Sequence, residues 1–290
     1  MFLSYIALLG RVLLLSLERI VVRLLGNNQK NIYSNVSATF LFFFIGALSL
    51  LPFSFFININ DFDFLIPCYI SSILYTIGAV AYVTSLSVGE VSLVTPINSL
   101  NSLFLMILSF VFLNEQITIE KFVGIVIIVT GLSILKKEGN PLKSLKYIIN
   151  NTACRLMFLY VFLQSMGRIL DKYFYVTVHP VTYATVLYFF ISINLLVFLL
   201  ITKKTKYIKD VFNAKRGISI ISGCINGFSY LFLLVALKNI ELSIAEPITQ
   251  VSMILTLIFT YIFFKENIKE KIPGSILILI GGWILLSNMS

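Results

Sequence analysis

The sequence predicts an all-α, polytopic membrane protein: ten transmembrane helices arranged as two inverted five-helix repeats. Three observations predict it. The 290 residues are 58% hydrophobic and 12% charged, with a mean hydropathy of +0.96, whereas soluble domains carry roughly a quarter charged residues. Residues 31–60, 64–89, 91–114, 173–202, 217–237 and 272–290 each lack Asp, Glu, Lys and Arg, and about 20 such residues cross a bilayer. Residues 82–137 and 233–288 repeat one another. Pro96 and Pro247, Glu115 and Glu266, and Gly131 and Gly282 all stand 151 positions apart, the self-similarity of a repeat architecture.

The first repeat covers residues 1–138. Helix one, 2–25, is interrupted by Arg11 and Glu18, and its opening MFLSY has no basic residue, so it does not read as a cleavable signal peptide. Helix two, 34–57, leads through the acidic connection NINDFDFLI (58–66) to helix three, 67–88. Helix four, 91–113, carries Val94-Thr95-Pro96 near its start and Glu115 just past its end. Helix five, 121–136, carries Gly124 and Gly131, small residues that let helices approach closely for packing or a dimer contact.

Residues 139–153 form a basic linker. Its Leu142, Leu145, Ile148 and Ile149 share one helical face with Lys143 and Lys146 off it, the pattern of a short helix lying on the membrane surface. The second repeat, 154–290, holds helices at 154–176, 180–202, 217–238, 242–264 and 271–288, with a basic connection at 203–216. Its front repeats the first half more weakly: Arg168-Ile169 with Lys172 parallels Arg19-Ile20 with Arg23, and Ala184-Thr185 before Phe189-Phe190-Ile191 parallels Ala38-Thr39 before Phe43-Phe44-Ile45. Five helices per repeat is an odd number, so the second repeat enters the membrane upside down relative to the first.

The net charge is +9. In a soluble protein that would suggest nucleic acid; here the basic residues sit in short connections, which topology and anionic headgroups explain. Connections five, seven and nine hold Lys136, Lys137, Lys143 and Lys146, then Lys203, Lys204, Lys206, Lys209, Lys215 and Arg216, then Lys265, Lys269 and Lys271. The even connections offer Lys121 and Lys238, and the second carries Asp61 and Asp63. The positive-inside rule therefore puts both termini outside the cell. The Ile, Asn, Lys and Phe bias points to an AT-rich, prokaryotic genome and so to an inner-membrane location. Cys68, Cys154 and Cys224 are isolated and His179 is the single histidine, so neither a disulfide framework nor a metal or other cofactor is expected.

Charges at bilayer depth cost about 2.5–3.5 kcal/mol each on insertion scales, so each asks for a reason. Glu246 precedes Pro247 near the start of helix nine, with Gln250 one turn on. That carboxylate reads either as a ligand for a cation or proton, or as a cap favoured by the helix dipole. Its repeat partner is Thr95, so the halves are chemically asymmetric. In helix six, Tyr160, Gln164, Arg168, Asp171 and Tyr175 recur at helical spacing on one face. Gln164 and Tyr160 lie deeper and read as substrate contacts, while Arg168 and Asp171 near the helix end read as an ion pair. Arg11, mid-helix, attracts a carboxylate or phosphate or serves as a structural counter-ion; Glu18, Arg19 and Arg23 read as a cluster at the interface. Asn98 and Asn101, Tyr75 and Tyr82, and Asn226 and Tyr230 add neutral polar groups that either line a cavity or join helices by hydrogen bonds.

A pattern occurs twice: small residues and a proline early in a helix, a glutamate beyond its far end, then a glycine-rich helix. In the first half it is Val94-Thr95-Pro96, Glu115, Gly124 and Gly131; in the second, Ala245-Glu246-Pro247, Glu266, Gly274, Gly281 and Gly282. With Gly167-Arg168-Ile169-Leu170-Asp171-Lys172 and His179-Pro180, the chain resembles a ten-helix, EamA-type member of the drug/metabolite transporter superfamily over nearly its whole length. The resemblance implies a secondary transporter of a small polar or amphipathic metabolite or drug, with substrates ranging over amino acids, nucleobases, sugars, vitamins and quaternary amines. The signature glutamates Glu115 and Glu266 stand at helix ends and are expected to bind backbone amides or basic groups in the turn that follows. The sequence departs from its relatives in one respect. They place both termini in the cytoplasm, with basic connections after helices two and six; here connection two is acidic and connection seven is the most basic.

The expected activity is therefore alternating access, with the two repeats rocking around a midplane site. The chain lacks a GxxxxGK[ST] loop, so ATP is not the direct driver, and protons are the candidate coupling ion. The alternative on the same fold is a flippase for a lipid or lipid-linked sugar. An intramembrane enzyme is not expected, since the chain has no acidic cluster within a helix and no placed histidine base. Monomer and homodimer both stay open, and no nucleic acid partner is expected.

Overall fold

The computed structural model describes residues 2–26, 31–54, 62–113, 119–136, 140–174, 178–240, 245 and 248–287. The first repeat is α1 (Phe2–Gly26), α2 (Ile32–Ser54), α3 (Leu65–Val88), α4 (Val91–Asn98), α5 (Asn101–Leu113) and α6 (Ile119–Ile134). The linker helix is α7 (Pro141–Asn150). The second repeat is α8 (Thr152–Phe174), α9 (Pro180–Ile201), α10 (Lys206–Ala214), α11 (Arg216–Leu237), α12 (Ser252–Phe264) and α13 (Ile272–Ser287). Among the described residues, six helical stretches are long and apolar enough to cross a membrane by length and composition, with shorter apolar helices at Ile248–Phe264 and Ile272–Ile284.

Lipid as the outer solvent turns the usual pattern around, and α1 shows it. Leu3, Ile6, Leu9 and Leu13 face out along one side, while Ser4, Arg11, Ser16, Glu18 and Arg19 are buried. Backbone groups in hydrocarbon must be satisfied within the segment, which helices alone achieve here.

The packing obeys the repeat. Helix α1 packs on α11 and its repeat equivalent α8 packs on α3; α2 packs on α9 and α6 on α13, each pair being its own equivalent. The contact of α2 with α11 is matched by that of α9 with α3. This approximate two-fold relation is what sequence repeats of odd helix number dictate once both are in one membrane.

Glycine makes the α6–α13 contact possible. A Cβ on Gly131 would lie 2.8 Å from the Gly274 carbonyl oxygen, and one on Gly274 would lie 2.6 Å from the Gly131 oxygen. Similarly, a Cβ on Gly281 would meet the Gly124 oxygen at 2.8 Å. The glycines thus serve packing within the chain. Gly131→Val is expected to cost about 3 kcal/mol, because backbone cannot move aside as a side chain can; a drop in the detergent melting midpoint checks this, and an unchanged midpoint contradicts it.

The structure corrects the sequence reading in two places. Helix four is two helices, α4 and α5, because the backbone tightens to i→i−3 turns just past Pro96. The amides of Ser99 and Leu100 instead bond Pro96 O and Ile97 O at 3.1 and 3.0 Å, closing tight turns. The same break recurs 151 residues on, where Val251 N bonds Ile248 O at 3.1 Å before α12 begins. The basic connection 203–216 holds a second surface helix, α10. Its Ile208, Val211 and Phe212 are spaced to pack on the core, and the element lies against α2. The linker helix α7 buries Ile148 and packs Leu145 inward, but leaves Leu142 and Ile149 exposed.

Candidate functional site

A polar cavity lies between the repeats, lined by α1, α2 and α3 on one side and α8, α9 and α11 on the other. One lobe and the open solvent at its mouth together leave about 540 Å³ of space between atoms. Arg11, Glu18, Tyr75, Tyr82, Tyr160, Gln164, Arg168, Tyr188, Asn226 and Tyr230 supply its polar groups, and Phe42 and Phe43 part of its apolar wall. A second lobe is lined by Arg11, Arg19, Asn98, Ser99, Asn101, Tyr160, Gln164, Arg168, Thr249 and Gln250. The lobes meet at Arg11, Tyr160, Gln164 and Arg168.

The helix breaks build the second lobe. Asn98 and Thr249 occupy equivalent positions in the two repeats, as do Ser99 and Gln250, and all four line it. Interrupted helices at bilayer depth are tolerated where they border a polar cavity, and this pairing of breaks is the design of repeat transporters. Gln250 donates to the Ser102 hydroxyl at 3.2 Å, while its own amide oxygen has no partner. Gly282 makes room for the pair, since a Cβ there would stand 2.8 Å from both. Asn98 also keeps its amide oxygen unpartnered, whereas Asn101 accepts from Ser165 at 2.6 Å.

Aromatic rings wall the first lobe. Tyr82 and Tyr160 lie with centroids 4.6 Å apart, and Tyr188 and Tyr230 stack at 5.4 Å. Gln164 donates to the Tyr160 hydroxyl at 2.8 Å, and Tyr188 donates to Asn226 Oδ1 at 2.8 Å. Arg11 bonds the Ser229 hydroxyl and stands 3.9 Å from Glu18, whose carboxylate also accepts from Tyr82 at 3.2 Å. Arg19 donates to Ser252 at 3.2 Å and Thr256 at 3.1 Å.

Nine of the ten candidate residues therefore converge. Arg11, Tyr82, Tyr160, Gln164, Asn226 and Tyr230 meet in the first lobe, and Asn98, Asn101 and Gln250 in the second. Glu246, with Pro247, Glu115 and Tyr175, lies outside the described residues.

Three readings change. Glu18 and Arg19 are cavity residues, 5% and 3% exposed, and no interfacial cluster. The reason is what this face of α1 meets: Tyr82 of α3 donates to Glu18, and Arg19 donates to Ser252 and Thr256 of α12. Arg23, one turn further, does reach the end of the helix, where it donates to the carbonyls of Leu86, Ser87 and Gly89. Asp171 accepts hydrogen bonds from Tyr75, Tyr183 and Tyr230, so tyrosines take the place of the expected Arg168 partner. The repeat match of Arg19 with Arg168 was the signal for both arginines: each lines the cavity from the equivalent helix of its repeat.

Glu266 finds backbone amides, as expected, but in the other repeat. It accepts from Val91 N at 3.1 Å, Ser92 N at 2.8 Å and the Ser92 hydroxyl. Lys271 joins this cluster through Ser92 Oγ at 2.7 Å and the Glu90 carboxylate. The Lys271 hydrogen bond holds the Glu90 carboxyl below its ordinary range. A carboxyl lowered by folding contributes stability that is present above its unfolded value, near pH 4.5, and is lost as pH falls through the folded one. Glu90 is half exposed, so the effect is small. The melting midpoint is expected to fall slightly more steeply below about pH 4.5 in the native chain than in Glu90→Gln; parallel curves contradict it.

Paired broken helices, two inverted repeats and a polar cavity shared between them define a class, the repeat-built membrane transporters of small molecules. The chain belongs to the EamA-like transporter family, whose profile matches residues 2–136 and 151–288. Members of that family are transporters and not enzymes. A stretch of 79 residues, 27% of the chain, is 34% identical to the uncharacterized protein MJ1333.1 of Methanocaldococcus jannaschii, and covers 58% of that relative's length. In three dimensions the chain resembles a protein known from a crystal structure, with a TM-score of 0.57, 9% identity and coverage of 99% of both chains. At that identity the likeness speaks for the fold alone.

Proposed function

We propose that this protein is a secondary transporter that carries a small polar or amphipathic metabolite across the membrane by alternating access. The observation that carries the reading is the cavity at the paired helix breaks, to which each repeat contributes equivalent residues. A site shared in this way is exposed to one side or the other as the repeats rock. Substrate contacts are Tyr160 and Gln164, with Asn98, Asn101 and Gln250 in one lobe and Tyr82, Asn226 and Tyr230 in the other. Protons are the coupling ion in this reading, with Glu246 as their carrier.

The test has two stages. A metabolite panel is screened for a raised melting midpoint, since a ligand that binds the native state stabilises it. Hits are then followed as radiolabelled counterflow in proteoliposomes. Gln164→Ala is expected to reduce counterflow at least about tenfold by removing a cavity contact. Counterflow that Gln164→Ala and Tyr160→Ala both leave untouched would place the substrate elsewhere. Uptake indifferent to Glu246→Gln and to a pH gradient would remove proton coupling.

A further inference from the structure

We infer that the first lobe recognises a nitrogen group that only donates hydrogen bonds, an ammonium, an amidinium or the NH2 end of a carboxamide, seated among aromatic rings. The inference rests on the transport reading above and names the substrate class of that cavity.

Proton accounting carries it. Tyr75, Tyr82, Tyr188 and Tyr230 line the lobe, and each spends its hydroxyl proton on the protein. Tyr75 and Tyr230 donate to the same Asp171 oxygen at 2.6 and 3.2 Å. Tyr82 donates to Glu18 at 3.2 Å, and Tyr188 donates to Asn226 Oδ1 at 2.8 Å. The Asn226 amide is oriented by its other end, which donates to the Phe42 carbonyl at 3.4 Å, so its oxygen is the atom that meets Tyr188. A hydroxyl carries one proton and two acceptor lone pairs. With the proton spent, each of these four oxygens has lone pairs alone to offer a ligand. Tyr160 stands outside the set, since its hydroxyl accepts from Gln164.

The ligand must supply what this wall lacks. Ammonium, amidinium and amide NH2 groups donate without accepting. An alcohol brings lone pairs of its own and a carboxylate brings nothing else, and these oxygens cannot answer them. Position agrees with the accounting. Tyr75 and Tyr230 share one Asp171 oxygen, so their phenolic oxygens are neighbours, and the Tyr188 ring stacks on Tyr230 at 5.4 Å. The acceptors thus gather from α3, α9 and α11. The faces of these rings suit a flat apolar body and, for a cationic nitrogen, add the attraction of the ring quadrupole. Asp171 lines neither lobe. It is a positioning residue that keeps two hydroxyl protons turned away from the ligand.

The experiment uses the full-length protein in detergent and two matched pairs of probes: benzylamine with benzyltrimethylammonium, and benzamide with N,N-dimethylbenzamide. Each pair keeps its charge and aromatic ring and differs in its N–H groups. In at least one pair the N–H member is expected to raise the melting midpoint and to bind saturably, about tenfold or more tighter than its methylated partner. Methylation also adds bulk, so the tyrosines decide. Tyr75→Phe and Tyr230→Phe should each cut that ratio about fivefold, the worth of one hydrogen bond. A purely structural role for these hydroxyls predicts a lower midpoint with the ratio unmoved, and either variant serves should the other fail to fold. Methylated probes that bind as well as their partners overturn the inference, as does a ratio unmoved by the variants, or no binding by either N–H member. N–H probes that bind with the predicted variant pattern yet show no counterflow in proteoliposomes uphold the donor site and overturn transport. Counterflow of a methylated probe as fast as that of its N–H partner does the reverse.

Discussion

Replacing Asp171 by alanine is expected to destabilise this protein by about 3 kcal/mol. Its carboxylate, on α8, accepts from Tyr75 of α3 at 2.6 Å, from Tyr183 of α9, and from Tyr230 of α11 at 3.2 Å. One side chain thus ties four helices, and both repeats, at a single buried point. Removing it orphans up to three buried hydroxyls at about 1–3 kcal/mol each, and the desolvation cost that the carboxylate no longer bears offsets part of the sum. Asp171→Asn keeps the shape and one acceptor oxygen and should lose less. Adding Tyr183→Phe should shrink the cost of Asp171→Asn, since one hydroxyl no longer needs an acceptor. Melting midpoints of the four chains measure this; an Asp171→Ala midpoint equal to the native one would show that the tyrosines find other partners.

Glu266→Ala is expected to open one end of the molecule. Glu266 holds the first turn of α4 through two amides and a hydroxyl, across the boundary between repeats. Hydrogen bonds to a charged group contribute about 1.5–3 kcal/mol each, so losing three shifts a closed–open equilibrium by about 3 kcal/mol or more, about a hundredfold in population. The readout is maleimide labelling of a cysteine placed at Asn98, which lines the cavity, in a chain with Cys68, Cys154 and Cys224 changed to serine. Faster labelling in Glu266→Ala is the expected result. An unchanged rate would mean that this cluster does not hold that end shut.

Much of this arrangement is legible in the chain itself. The 151-residue offset of Pro96 and Pro247 announces two equivalent helices, and the odd helix count implies inversion. The polar stripe of α8 already shows Tyr160, Gln164 and Arg168 on one face, and a polar face on a membrane helix turns inward because lipid offers it no partners. Less legible were features that depend on depth. Their place in an apolar run suggests an interfacial position for Arg19 and Glu18, but polar groups of α3 and α12 receive them inside the bundle. The break after Pro96 lies in the tight turns at Ser99 and Leu100, which helical periodicity does not report. Helix α10 hides in a lysine-rich segment whose three apolar residues acquire meaning only against α2.

Composition, uncharged run lengths and the repeat offset determined the class of fold, because the bilayer allows few solutions to a chain this apolar. Partners were another matter. That Glu266 caps a helix of the other repeat, that tyrosines take up Asp171, and that three arginines share one cavity follow from contacts between residues up to 237 positions apart. Spacing along the chain reports which residues share a helix face, whereas the neighbour that face meets is chosen by packing, and the lining of the cavity is a property of the assembled helices.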